Sequence, residues 1–374
     1  MNLDILRKEL AAIDQQLLAL VKKRQDLSQD IGHLKDDLGL GTRDYGQETR
    51  VLNRARELAE KLGITPKVAE EIFLTLIRSS LTVQEKQRVA LAGEGSGKQA
   101  LVIGGAGQMG SWMVRFLASQ AYTVDISDPK GPVKGFNYVD DWHNLPLNHD
   151  LIVVAAPLAE SNRILKTLAK KRPSGLVFDI GSLKTPLREG LKELQNAGVM
   201  TASIHPMFGP TTELLSGRHV IFVDVGSREA IAKAREIFTP TMATLVEMDL
   251  DSHDRLIAYV LGLSHALNIL FFTALADSGE EVPRLAQMSS TTFDAQLAVA
   301  RSVAEDNPYL YFEIQSLNQF GAESIDSLSS ALAQLLVVLE NTDEDGFYNM
   351  MKTGKKYLDG LKSNPNSPSR SDQK

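Results

Sequence analysis

ALVIGGAGQMGSWMVRFLASQ, residues Ala100 to Gln120, is the stretch from which the rest of the chain can be placed. Leu101 to Ile103 form a short apolar run that reads as a buried strand. Met109, Trp112, Met113, Phe116 and Leu117 then recur at helical spacing. Between strand and helix, Gly105, Gly107 and Gly110 stand in the order G-x-G-x-x-G. Each glycine has a physical reason: a tight turn, a backbone that a pyrophosphate can approach, and close contact between helix and strand. Gln108 and Met109 open the helix, whose free N–H groups and positive dipole end suit phosphate. A second apolar run, Tyr122 to Ile126, leads to Asp128, where a carboxylate would bond an adenine ribose and repel a 2′-phosphate. The glycines alone are also ordinary turn chemistry. With strand, helix, second strand and acid in register they predict a dinucleotide site that prefers NAD to NADP.

Outward from that unit, the bulk numbers set limits. A chain of 374 residues suggests two or three domains. Its 43% hydrophobic and 23% charged residues are ordinary for a globular protein. A net charge of −7 argues against a general nucleic-acid binder. No uninterrupted apolar run approaches the roughly eighteen residues a membrane span needs, and the amphipathic N-terminus lacks the apolar core of a signal peptide. Cysteine is absent, which excludes disulfides and thiolate chemistry, and a cytoplasmic enzyme is expected.

Upstream of the glycine stretch everything reads as helix. Leu3, Leu6, Leu10, Ile13, Leu17, Leu20, Leu27, Ile31 and Leu34 keep three-and-four spacing and predict one long helix. Gly39 and Gly41 break it, a second helix runs from about Tyr45 to Lys61, and a third from Pro66 to about Gln87. Three unequal helices of this kind suggest a dimer that completes its core between chains. The segment AGEGSGKQ, 92–99, reads as a flexible linker.

Along these helices Arg7, Arg24, Lys35, Asp44, Glu48, Ser80 and Gln84 exceed what amphipathicity requires. Singly, each suits a solvated surface. Together, in LRKELAAIDQQLLALVKKR, IGHLK, RDYGQE and IRSSLTVQ, they resemble the all-helical chorismate mutases. The resemblance implies that Arg24 and a partner chain's Arg7 hold two substrate carboxylates, with Ser80 in the same pocket. Lys35 and Gln84 would face the ether oxygen, and Glu48 with the Asp44 backbone the ring hydroxyl. Such a pericyclic reaction moves no proton, so catalysis is positioning and charge stabilisation. Gln47 departs from the family, which usually carries arginine there.

Downstream, strand and helix continue to alternate. Asp150 to Ala155 reads as a strand, Asn162 to Lys171 as a helix and Gly175 to Ile180 as a strand ending in DIGSLKTPL. Asp179, Ser182 and Lys184 therefore fall at a strand's C-terminal end, where open α/β sheets bind ligands. A strand near Met200 to Ser203 delivers HPMFGP, residues 205–210, with His205 fixed by proline and a glycine-proline turn. A satisfied structural histidine is one reading and a residue facing a nicotinamide ring the other. From about Ser252 the chain is helical: HDRLIAYVLGLSHALNILFFTAL, then 282–288, 292–305, 308–339 and 345–361. His265 on its apolar face fits either a bonded core histidine or a site residue.

HPMFGP and DIGSLKTPL resemble the prephenate dehydrogenases, a likeness covering roughly residues 100 to 360. It implies that His205 accepts the substrate hydroxyl proton, that Ser182 orients its imidazole, and that Lys184, His265 and Arg301 meet the substrate, Arg301 through a carboxylate. The expected architecture is multidomain: an all-α chorismate mutase-like domain over 1–91, the linker, a Rossmann-type α/β dinucleotide-binding domain over 100–245, an all-α dimerisation domain over 246–362 and a disordered tail over 363–374. The whole resembles the bifunctional chorismate mutase/prephenate dehydrogenases. That implies NAD as cofactor, no metal, chorismate and prephenate as substrates, a homodimer, and neither nucleic acid nor membrane as partner. Two alternatives stay open: arogenate as the oxidised substrate, and an N-terminal module that serves only dimerisation or regulation.

Overall fold

The computed structural model describes residues 2–362, so the tail expected to be disordered lies outside the described residues. Helix α1 spans Leu3–Asp37, and the Asn2 side chain caps it by accepting the Asp4 N–H at 3.1 Å. The next helix, α2, is Tyr45–Lys61, with Asp44 as its cap. Proline at the first position opens α3, Pro66–Leu91, which outlasts its expected end by about one turn. Helices α1 and α3 meet where Ser28 and Gly32 are buried: a Cβ on Gly32 would lie 3.3 Å from Gln84 Cγ. Most of the α1 leucine stripe, from Leu3 to Leu34, stays exposed. One chain does not cover it.

Segment 92–99 is not the free linker its composition suggested. Gly95 N–H donates to the Gln120 carbonyl at 3.0 Å, and a Cβ on Gly93 or Gly95 would come within 2.6 or 2.3 Å of Gln120 and Tyr122. The glycines serve close docking.

A single eight-stranded sheet follows. Its elements are β1 (Gln99–Ile103), α4 (Gln108–Ser119), β2 (Thr123–Ser127), β3 (Asn137–Tyr138), β4 (Leu151–Val154), α5 (Leu158–Lys171), β5 (Leu176–Asp179), α6 (Arg188–Asn196), β6 (Thr201–Pro206), β7 (His219–Asp224), α7 (Arg228–Phe238) and β8 (Thr244–Asp249). The order is β3-β2-β1-β4-β5-β6-β7-β8, parallel except where β6 meets β7 with His205 opposite Ile221. Strands β1, β4, β5 and β6 are buried almost throughout, as a sheet covered on both faces requires. Trp112, Met113, Leu117 and Phe238 pack one face, and Leu165, Leu168, Leu191 and Leu194 the other.

The C-terminal part is helical: α8 (Leu250–Ile257), a π-helical stretch (Ala258–Leu263), α9 (Ser264–Asp277), α10 (Val282–Gln287), α11 (Thr291–Ala304), α12 (Pro308–Leu317), α13 (Gly321–Glu340) and α14 (Glu344–Lys362). The helix expected over 308–339 is two. Asn318 breaks it, its Nδ2 donating to the Asp254 carbonyl at 2.8 Å and its Oδ1 accepting the Phe320 N–H. Leu250–Asp277 and Gly321–Glu340 are long and apolar enough to cross a membrane by length and composition, although polar residues interrupt both. Only 22% and 6% of their most apolar windows are buried within the chain.

Candidate active sites

The strand order reverses direction between β1 and β4, the place where such sheets bind ligands. Gly104, outside the glycine set read from sequence, has φ +89 and lies so close to the Ala155 carbonyl that a Cβ would sit 2.6 Å from its oxygen. Gly110 is tighter still: a Cβ there would be 2.0 Å from the Gly104 oxygen. A Cβ on Gly105 would strike Ile126 at 2.7 Å, whereas at Gly107 the nearest heavy atom is 3.2 Å away. Gly107 is the α4 N-cap and supplies no side-chain acceptor, so the N–H groups at Gln108 and Met109 face outward uncapped. This backbone cradle fits a pyrophosphate. Asp128, at 7% exposure, accepts the Ala106 N–H at 3.0 Å through Oδ2 and the Lys130 N–H at 2.8 Å through Oδ1. Its carboxylate thus braces the glycine loop and retains lone pairs for a ribose hydroxyl.

His205, the penultimate residue of strand β6, is 4% exposed. Its Nδ1 lies 2.9 Å from His253 Nε2, and His253 Nδ1 lies 2.7 Å from Asp254 Oδ1. Asp254 also accepts backbone N–H groups from Lys184 (2.9 and 3.2 Å) and Thr185 (2.6 Å). Burial works against the Asp254 carboxylate, yet its bonds to His253, Thr185 and Lys184 outweigh that and hold its pKa below the usual range. An ionised Asp254 can only accept, so His253 carries its proton on Nδ1 and His253 Nε2 must accept from His205 Nδ1–H. The free lone pair of His205 is then on Nε2. Burial, followed by the neighbouring His253 and Lys184, pushes the His205 pKa well below its ordinary value. It is a neutral base at physiological pH.

Two sequence assignments change here. Ser182 was expected to orient the His205 ring, but His253 occupies Nδ1, and Ser182 makes no hydrogen bond to His205 among the described residues. Lys184 was expected at the substrate, yet its side chain is 0% exposed. Its Nζ donates to Asp179 Oδ1 at 2.6 Å and to the Ile204 carbonyl at 2.8 Å, and Ser203 Oγ donates to Asp179 Oδ2 at 2.5 Å. The fully desolvated ammonium is bound into the floor beneath His205. Sequence reasoning passed over His253 and Asp254, whose signal was two adjacent polar residues heading a long apolar helix.

The other expected dehydrogenase residues sit apart. His265 stacks on Tyr311 with ring centroids 4.1 Å apart, and its Nδ1 is buried without a partner. Arg301 lies exposed on α11, its guanidinium unpaired among the described residues.

In the helical module, Arg24 Nη1 donates to the Leu76 carbonyl at 2.5 Å and to Ser80 Oγ, while Ser28 Oγ reaches Ser80 Oγ at 2.9 Å. Lys35 Nζ rests on the Thr42 carbonyl at 2.7 Å. Gln84 is 8% exposed with its Oε1 unbonded, as a residue awaiting a ligand would be. Glu48 is held by Arg43 through two bonds of 2.9 and 3.0 Å. Gln47 Oε1 accepts from Arg50 at 2.9 Å. Arg7 is exposed near Asp4, far up the same helix from Arg24. A single chain therefore brings together Arg24 and Ser80 but not Arg7.

Residues 6–85 match the family of type II chorismate mutases, 132–247 the nucleotide-binding domain of prephenate dehydrogenase and 249–353 its dimerization domain. A T-protein of Enterobacter agglomerans is 24% identical over 350 residues, covering 92% of this chain and 90% of its own. A probable arogenate/prephenate dehydrogenase of Methanocaldococcus jannaschii is 26% identical over 268 residues, covering 69% of this chain and 60% of its own. The crystal structure of Aquifex aeolicus prephenate dehydrogenase with hydroxyphenyl propionate and NAD+ superposes with a TM-score of 0.55 at 17% identity, over 70% of this chain and 98% of that one. That likeness establishes the fold.

Proposed function

Since its segments match a type II chorismate mutase and the two domains of prephenate dehydrogenase, we propose that the chain joins both activities and performs the two reactions in succession on the way to tyrosine. In the first, the ether C–O bond of chorismate breaks as a C–C bond forms, giving prephenate without proton transfer. Arg24 and an Arg7 from a second copy bind the carboxylates, with Ser80 steering Arg24. Lys35 and Gln84 donate to the ether oxygen as negative charge grows there, and Glu48 with the Asp44 backbone holds the ring hydroxyl.

In the second reaction prephenate is oxidised and loses carbon dioxide to give 4-hydroxyphenylpyruvate. When bound at Gly105, Gly107, Gln108, Met109 and Gly110, with Asp128 at its ribose, NAD supplies the hydride acceptor. His205 Nε2 takes the proton of the ring hydroxyl as that oxygen becomes a carbonyl. The C–C bond to the ring carboxylate breaks and its electron pair restores the aromatic ring. Arg301 and His265, on helices with uncovered apolar surface, complete the substrate end when two copies associate, Arg301 at a carboxylate. Chorismate, prephenate and NAD are water-soluble, which suits a cytoplasmic homodimer.

The observation carrying this reading is the buried line Asp254–His253–His205, which leaves a neutral imidazole with its lone pair on Nε2. Purified protein should consume chorismate and, separately, form NADH from prephenate. His205→Asn should lower the dehydrogenase kcat by about 10²–10⁴, the range for a lost general base, and spare the mutase. Near-normal kcat in that variant removes His205 from the mechanism. Comparing rates with prephenate and arogenate decides which is oxidised.

A further inference from the structure

We propose that Glu85, on mutase helix α3, is a positioning residue for the dehydrogenase, holding the start of the strand paired with His205. The side chain is 3% exposed and sits between the two halves of the chain. Its Oε2 accepts the Leu215 N–H at 2.7 Å, and its Oε1 accepts the Met242 N–H. Leu215 lies just before β7 and Met242 just before β8. Further bonds join the two approaches: Arg218 N–H donates to the Leu215 carbonyl at 2.9 Å, and Thr244 N–H to the Arg218 carbonyl at 2.8 Å. One carboxylate thus clamps the beginnings of the last two strands, and β7 is the antiparallel neighbour of β6, with Ile221 opposite His205.

Folding alone does not require a carboxylate there. Burial pushes the Glu85 pKa up, opposed by the two N–H groups and by the charge of Arg88. A buried carboxylate bound to backbone N–H groups costs desolvation that an apolar side chain would not. A second strut is parallel to it: Arg43, while pairing with Glu48, donates to Ser216 Oγ at 2.6 Å. The same loop reaches the cofactor helix, where Trp112 Nε1–H donates to the Thr212 carbonyl at 2.9 Å and the Trp112 ring meets Phe208 edge-on at 4.9 Å. With Lys86 Nζ donating to Glu213 Oε2 at 2.9 Å, the loop leaving His205 is therefore pinned at four places, one belonging to α4 and three to the helical module.

The inference rests on the proposed role of His205, and its test separates the two. In the full-length chain, Glu85→Gln keeps the shape but presents an NH2 group to one of the two N–H donors. Native-state hydrogen exchange should show the Leu215 and Met242 amides protected in the parent and losing protection in the variant, whichever residue is the catalytic base. A misplacement on the order of 1 Å costs up to about 10²-fold in rate, so the dehydrogenase kcat should fall by roughly 10-fold or more. The mutase kcat should stay within about twofold, because the side chains that meet chorismate are untouched. Loss of folded protein would lower both activities equally. Should Glu85→Gln fold poorly, Ser216→Ala, which removes only the Arg43 strut, should lower the dehydrogenase kcat by a smaller factor with the same split. In a variant that stays folded, unchanged protection at both amides, a dehydrogenase kcat within twofold of the parent, or equal losses in both activities would overturn the proposal.

Discussion

Replacing Asp254 by asparagine tests the electrostatic line behind His205 without changing its shape. The carboxylate accepts from His253 Nδ1–H and from the backbone N–H groups of Lys184 and Thr185. An amide has one acceptor oxygen, and satisfying the two fixed backbone donors turns its NH2 toward His253. His253 must then accept on Nδ1, carry its proton on Nε2, and donate to His205 Nδ1. That moves the His205 proton to Nε2, the atom that should take the substrate's proton. The base is present but facing the wrong way, and general-base catalysis worth about 10²–10⁴ is forfeited. At about 1.36 kcal/mol per decade this raises the barrier by roughly 3–5 kcal/mol. NADH formation from prephenate at saturating cofactor measures it, with chorismate consumption as the internal control. A kcat for Asp254→Asn within about threefold of the parent would refute the tautomer argument.

Three further outcomes are expected. Asp128→Ala should raise KM for NAD by about 10- to 100-fold, the worth of a hydrogen bond to a charged group, and narrow the preference over NADP; a parent protein that uses NADP better sinks the assignment. Arg7 and Arg24 lie about 25 Å apart along α1 at 1.5 Å per residue, so mixing Arg7→Ala with Arg24→Ala chains should regenerate one mutase pocket per heterodimer, and mixtures with confirmed subunit exchange that stay inactive exclude a shared pocket. Finally, burial depresses the pKa of both His205 and His253 in the folded chain, so the unfolded chain binds protons first as pH falls. The stability they contribute is complete above about pH 6.5 and lost progressively below it toward the folded-state values. Thermal midpoints measured from about pH 8 to 5.5 should decline less steeply in His205→Gln, and parallel slopes would contradict this.

What could be read directly from residue order was what depends on local chemistry. The glycine loop, the helix Tyr45–Lys61, and the buried runs of β1, β4 and β5 carry their signals within a few residues. Strand β3 is two residues held only by pairing with Asp125 and Ile126, and β8 is an edge strand with no fully buried residue. Neither announces itself in the chain, and β7 with α7 was passed over between them. At the site, motif position was informative and side-chain direction was not. DIGSLKTPL did mark the floor beneath His205, but nothing local says that Lys184 turns inward. His253 reaches His205 across 48 residues of chain, and Glu85 reaches Leu215 across 130. Such meetings are decided by the sheet, after the local pieces have formed.

The Lys184–Asp179 pair constrains how this protein can change. Both side chains are 0% exposed, so neither charge has water to fall back on if the other is removed. Losing one member of such a pair costs about 3–5 kcal/mol, a large part of a domain's margin, whereas replacing both by apolar residues of similar volume is often neutral. Any mutational route from this floor to an uncharged one that changes a single position at a time must cross a steep barrier. The two positions are thus bound to evolve as a linked unit, with Ser203 drawn in through its bond to Asp179. Grafting this histidine site onto another α/β sheet would have to carry all three residues across, although none of them need touch the substrate.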